Sequence, residues 1–170
     1  PEGTFFHSVP RVSPDGRTVA FCSRDERQAT RLWVRPLDAL EAWPLSETDG
    51  CQQVAWSPDG TWIAFATSTE LKRVRAADGA VQHVCDVQRP RSLAWGPTGD
   101  LLFGVAGEGL YRVPAAGGAA SPAIRPDPAR GELWAGSPVF LPRDDRFLFL
   151  AGGRDLGRPG TIWAARLASQ

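Results

Sequence analysis

The chain has almost no histidine and no excess of charge, and both shortages narrow its chemistry. Two histidines, His7 and His83, stand far apart, which gives little support to a Ser-His-Asp triad or a histidine-based metal centre. Lys72 is the only lysine, and 19 basic residues balance 19 acidic ones, so the basic footprint of a nucleic-acid binder is missing. No Gly-x-Ser-x-Gly pentad is present, and no glycine-rich loop ends in Gly-Lys-Ser or Gly-Lys-Thr. No apolar run approaches the roughly 20 residues of a membrane span, and no charged-then-apolar leader opens the chain. It begins at Pro1 rather than methionine, so the expectation is a piece of a longer protein whose targeting information lies elsewhere. The three cysteines, Cys22, Cys51 and Cys85, are odd in number and show no paired spacing. They are read as small, unpaired, buried hydrophobes that fix no compartment.

What the chain does have is turn residues and a repeat. Eighteen glycines and 15 prolines suit many short strands rather than long helices. The phrase Ser13-Pro14-Asp15-Gly16 returns intact as Ser57-Pro58-Asp59-Gly60, then worn as Gly96-Pro97-Thr98-Gly99 and Leu141-Pro142-Arg143-Asp144. The prolines are 44, 39 and 45 residues apart, the size of a four-stranded propeller blade. Proline presets the second turn position, aspartate bonds its own backbone, and glycine takes the left-handed conformation that closes a hairpin. Apolar runs flank each phrase, as in Val19-Ala20-Phe21, Ile63-Ala64-Phe65, Leu101-Leu102-Phe103 and Phe147-Leu148-Phe149. A third strand follows at Leu32-Trp33-Val34, Leu71–Val74, Leu110–Val113 and Ile162-Trp163-Ala164, and a fourth at residues 42–45, 80–85 and 119–124. The stretch Pro36–Trp43 tolerates helix but falls where a turn is due, and is read as turn plus strand.

The fold class is therefore all-β, one partial β-propeller over 1–170 with blades near 5–47, 50–87, 90–126 and 134–170, the last lacking its fourth strand. An arc of this kind leaves apolar flanks open. The expected occupants are further blades of the same chain, or a second copy, completing a ring of about six to eight. Trp33, Trp56, Trp95 and Trp163 recur at equivalent positions and are read as packing, whereas Trp43, Trp62 and Trp134 are less regular.

Labelling the strands of a blade A to D, the Ser-Pro-Asp-Gly turns occupy one end. The B–C and D–A loops, which vary in length, occupy the other. Function concentrates on variable loops of a rigid scaffold, so that end is the candidate face for a protein or small ligand. Its candidate interaction residues are Arg24, Asp25, Glu26, Arg27, Arg89, Arg91, Arg154, Asp155 and Arg158. Asp15 and Asp59 are assigned to turn geometry, and Arg143-Asp144-Asp145-Arg146 to paired charges on a solvated turn. No catalytic, metal or cofactor residues are expected, no direct membrane insertion by this segment, and no enzyme activity within it.

The repeat Trp-Ser-Pro-Asp-Gly-x-x-Ile-Ala-Phe, here Trp56–Phe65, resembles the TolB-type subgroup of WD-like β-propellers, and the likeness runs through essentially the whole chain. Leu32–Leu45, Leu110–Gly118 and the entry Phe140-Leu141-Pro142 are further similar to the propeller region of bacterial membrane-anchored serine/threonine protein kinases. That resemblance implies an extracytoplasmic sensing or protein-contact module, although no kinase motif occurs in the chain. Two alternatives stay open: the substrate-gating propeller of a prolyl-oligopeptidase-type serine peptidase, and a TolB-like periplasmic component of an envelope complex.

Overall fold

Short alternating strands separated by proline- and glycine-bearing turns cannot each bury an apolar face alone, so they pair into sheets and the sheets stack. A computed structural model describes residues 5–6, 8–24, 29–142, 144–153 and 160–167. The chain divides into two units, Pro1–Gln88 and Arg89–Gln170. Each holds two antiparallel sheets in which consecutive strands are neighbours.

In the first unit, the first sheet comprises β1 (Phe5–Phe6), β2 (Arg11–Val12), β3 (Thr18–Arg24), β4 (Thr30–Pro36) and β5 (Trp43–Pro44). Both β1 and β2 pair with β3, so the sheet's opening strand arrives in two pieces. Pro10 has no N–H to give the ladder, and Ser8 bridges the gap. The Cys22 N–H donates to Ser8 Oγ at 2.8 Å, and the Ser8 N–H donates to the Cys22 carbonyl at 3.3 Å. The outer strand β5 is only two residues long, and Thr48 extends that edge. Its fully buried hydroxyl accepts the Leu32 N–H at 3.1 Å and donates to the Leu45 carbonyl at 2.6 Å. The second sheet is β6 (Gln53–Trp56), β7 (Trp62–Ala66), β8 (Glu70–Arg75) and β9 (Val81–Asp86), in that order.

The two intact turns are built alike. Ser13 Oγ donates to Asp15 Oδ1 at 2.5 Å, and Ser57 Oγ donates to Asp59 Oδ1 at the same distance. Each aspartate also accepts a backbone N–H two residues on, and each serine accepts one five residues on, from Thr18 and Trp62. Gly16 and Gly60 both sit at φ 72°, where a Cβ is disfavoured.

Because strand side chains alternate, each sheet has two faces. Ala20, Cys22, Leu32 and Val34 of the first sheet pack against Val54, Ile63, Phe65 and Val74 of the second, and all are buried. Cys51 joins this core and is disulfide-bonded to Cys22, with the Cα atoms 5.6 Å apart. The expectation that no cysteine is paired is corrected here. Cys22 and Cys51 lie 29 residues apart in sequence, and only the stacking of one sheet on the next brings them together. Cys85 is a buried free thiol. Burial, and to a lesser degree Asp86, push its pKa up to about 11.

The second unit opens with β10 (Pro90–Trp95), β11 (Asp100–Val105), β12 (Gly109–Pro114) and β13 (Ser121–Ile124). A 3₁₀ turn at Pro128–Arg130, capped by Asp127, leads to β14 (Trp134–Phe140), β15 (Arg146–Gly152) and β16 (Thr161–Arg166), a three-stranded sheet. The third hairpin turn is one residue tighter than the others. The Gly96 N–H reaches the Asp100 carbonyl at 2.7 Å, whereas Ser13 and Ser57 reach five residues on to Thr18 and Trp62. Gly96 leaves room for the fourth sheet, since a Cβ there would lie 2.6 Å from Cζ of Phe140 and force the ring to shift. Leu102 and Leu110 pack against Ala135, Phe147 and Phe149, the same pairing of faces as in the first unit. On the other face of the last sheet, Val139, Leu148 and Ile162 are exposed.

A loop-end cleft between the third and fourth sheets

Two irregular strand starts shape the loop end of the second unit. Pairing of β10 with β11 slips between Pro90 and Ser92, leaving Arg91 as the extra residue of a bulge. Pairing of β14 with β15 slips again between Gly136 and Val139. Bulges bend a strand and re-aim its side chains. Here they open a cleft of about 280 Å³ lined by Arg91, Ser92, Gly104, Trp134, Gly136 and Ser137, among others. The tight turn Ala106-Gly107 between β11 and β12 closes one side.

The floor is closely fitted. A Cβ on Gly104 would meet Ser92 Oγ at 2.6 Å, so the glycine leaves the serine hydroxyl in its place beneath the cleft. Ser92 Oγ accepts the Ser137 N–H at 3.1 Å, tying β10 to β14. Ser137 sits at φ 52°, unusual for a residue with a side chain, and Arg89 beside the opposite wall sits at φ 44°. Strained backbone of this kind persists where surrounding structure holds it and is concentrated at functional sites. The Trp134 ring lies over Gly152 and Gly160, whose Cβ positions would fall 2.9 and 3.2 Å from it. On the opposite face of the third sheet, where Tyr111 stacks on Phe103, its hydroxyl donates to Glu108 Oε2 at 2.6 Å, which raises the tyrosine pKa.

Among the described residues lining the cleft, Arg91 is the one charged residue, exposed at the rim, and none is a carboxylate. The arrangement therefore suits a ligand with an apolar portion over Trp134 and an acceptor or anionic group within reach of the guanidinium. Among the described lining residues there is no nucleophile–base pair.

Of the residues singled out by sequence, Arg91 lines this cleft, and Arg89 is exposed in the segment leading into it. Arg24 ends β3 in the first unit, opposite Phe5 and Thr30. Asp25, Glu26, Arg27, Arg154, Asp155 and Arg158 lie outside the described residues. Asp144 and Asp145 pair with Arg146 and Arg166. Sequence reasoning missed Ser92, Gly104, Gly136 and Ser137. Trp134 carried a signal, as a tryptophan that breaks the repeat. One further cluster, Glu70, His83 and Asp86, brings donor atoms within 4.8 Å of one another, but the Lys72 ammonium already sits 2.7 Å from Glu70.

No family model matches the chain. Among curated proteins it is 42% identical over 60 residues to an uncharacterised peptidase, YuxL, of Bacillus subtilis, a match covering 35% of this chain and 9% of that protein. It is 27% identical over 78 residues to the uncharacterised protein YidR of Escherichia coli, covering 45% of this chain and 19% of the other. Among solved structures it is similar to TolB from Acinetobacter baumannii, with a TM-score of 0.72 at 13% identity over 96% of this chain and 41% of that one. A TolB-type structure from Agrobacterium tumefaciens gives a TM-score of 0.74 at 17% identity, over 92% and 60%. An oligogalacturonate lyase in complex with manganese gives 0.72 at 17% identity, over 98% and 52%. At these identities the structural likenesses show the fold alone, that of β-propeller blades.

They also correct one expectation. The chain was expected to be no enzyme, yet a lyase and a gluconolactonase of Xanthomonas campestris (TM-score 0.68, 19% identity, over 99% and 60%) share its fold, and one curated relative is named a peptidase. Enzymes are built on these blades. The missing serine-hydrolase pentad excludes one arrangement of catalytic groups, whereas the chemistry of a propeller is decided by its loops.

Proposed function

We propose that this chain is a propeller segment of a larger bacterial enzyme and supplies its recognition surface, with the cleft around Arg91 and Trp134 as the ligand site. The observation that carries this reading is the cleft itself: an aromatic wall, an arginine rim, and a strained, glycine-fitted floor at the variable end of the blades. The enzyme we favour is a membrane-anchored receptor kinase, in which the propeller is the extracytoplasmic sensor. The blade sequences support that assignment through their resemblance. So does the Cys22–Cys51 disulfide, since such bonds persist in oxidising compartments. Further blades of the same protein cover the apolar face of Val139, Leu148 and Ile162. The equivalent faces of the first and third sheets are each covered by the sheet that follows.

A second reading is favoured by the likeness to the B. subtilis peptidase: a propeller that admits peptides to a hydrolase domain. Both readings are tested on the full-length protein, assayed for autophosphorylation with ATP and for hydrolysis of unstructured peptides. Phosphotransfer without hydrolysis supports the kinase, and hydrolysis without phosphotransfer the peptidase. In either case Arg91→Ala should weaken ligand-dependent activity by about tenfold, the worth of one charge-assisted contact. Unchanged activity in Arg91→Ala and Trp134→Ala proteins that remain folded would remove the cleft from the account.

A further inference from the structure

The turn end of the first unit, which sequence reasoning set aside as geometry, carries a second cleft. It measures about 250 Å³ and lies between the first two hairpin turns. Asp15 and Asp59 line it together with Trp43 and Trp56, over an apolar floor that includes Val34 and Pro36. Trp43 is 48% exposed, a large aromatic surface for water to cover. The Trp56 indole N–H is already committed to the Arg11 carbonyl at 3.0 Å, so what this ring has left for a ligand is its π face.

Both aspartates are held as anions. The serine hydroxyl of each turn, followed by a backbone N–H, lowers their pKa values below the ordinary carboxylate range. Those same bonds fix the two carboxylates in place, so a ligand meets charge that needs no reorganisation. No arginine or lysine is among the described residues lining the cleft. The charge of Arg17 reaches Asp15 from outside that lining, but two indoles and two carboxylates with no cation among the described lining residues still match one kind of group. A guanidinium is planar, stacks on an aromatic face, and donates in a fork to carboxylate oxygens. A neutral sugar would stack on the rings but leave the paired charge unanswered.

We infer that this cleft receives the side chain of an arginine presented by a polypeptide partner, gripped between Trp43 and Trp56 and facing Asp15 and Asp59. The site is independent of the loop-end cleft and stands whichever enzyme carries the propeller. The test titrates the chain with three probes: the peptide Gly-Arg-Gly, its citrulline analogue Gly-Cit-Gly, and agmatine. Quenching of tryptophan fluorescence and the shifts of indole N–H resonances report binding. The arginine peptide should bind saturably and about tenfold more tightly than the citrulline peptide, which keeps the shape and loses the charge. Asp59→Asn, which retains an acceptor for the turn, should reduce that preference severalfold. Trp43→Ala, at a half-exposed position, should abolish the indole shifts while leaving circular dichroism unchanged. Equal binding of the arginine and citrulline peptides would overturn the inference, as would arginine binding that survives in folded Trp43→Ala. Binding of agmatine without the peptide would overturn the assignment to a polypeptide.

Discussion

Replacing Cys22 and Cys51 together by alanine is expected to cost the first unit about 3.5 kcal/mol. The figure follows from topology. The bridge closes a loop of 29 residues, and in the chain-entropy description a loop of about that size removes roughly 12 cal/mol/K from the unfolded ensemble. The folding equilibrium should then shift by a few hundredfold, since about 1.4 kcal/mol is a factor of ten. Alanine is the suitable replacement because both sites are fully buried among Ala20, Leu32, Val54 and Phe65, where a polar side chain would add a separate penalty. The assay is urea unfolding followed by tryptophan fluorescence, on the natural protein with and without reductant and on the double variant. The reduced natural protein and the variant should unfold at similar, lower urea concentrations. A thiol titration of the denatured, unreduced protein gives an independent count and should find one thiol, that of Cys85. Three thiols in that titration, or a double variant whose midpoint equals that of the oxidised protein, would refute the reasoning.

Three further outcomes follow from the packing and the turns. Gly96→Ala should destabilise the second unit by about 1–2 kcal/mol in denaturant titrations, because the added methyl meets the Phe140 ring at 2.6 Å. A neutral result would mean that the ring swings aside freely. Phe149→Ala, in the core between the third and fourth sheets, should cost about 3–4 kcal/mol by the same measurement. Asp15, Asp59 and Asp144 have folded pKa values below the ordinary 3.8. Their contribution is complete above that value and fades as pH falls below it, through the lower folded values. Unfolding midpoints between pH 5 and about 2.5 should therefore fall more steeply for the natural protein than for Asp15→Asn/Asp59→Asn; parallel curves would dismiss the turn carboxylates.

The hairpins were readable because their chemistry is local. Four consecutive residues, Ser-Pro-Asp-Gly, contain the preset φ, the side-chain acceptor and the left-handed glycine that the turn needs. Unbroken apolar runs such as Ile63-Ala64-Phe65 likewise mark, within a few residues, a strand buried on both faces. What escaped reading depends on residues about one repeat or most of a repeat apart. The third turn has glycine where the first two have serine because of Phe140, a contact made only after the fourth sheet has stacked on the third. Ser92 and Ser137 meet across 45 residues, and Cys22 finds Cys51 across 29. Counting from prolines also hides that the third turn is one residue tighter. Hydrogen bonding sets Leu102 where Ala20 stands in the first sheet, the match already made by the runs Val19-Ala20-Phe21 and Leu101-Leu102-Phe103, and a slip of one would turn every side chain to the wrong face. The loop-end cleft was legible as a region, through the variable loops and Arg91, while the bulges that open it left no trace in composition.

The bond between Cys22 and Cys51 also changes what a protease can accomplish. A single backbone cut anywhere between residues 23 and 50 severs the chain without freeing a fragment, since both new ends stay tethered through sulfur. Nicked and intact molecules would migrate together on a gel until a reducing agent is added. The first sheet would keep its partner after damage that would otherwise strip it away.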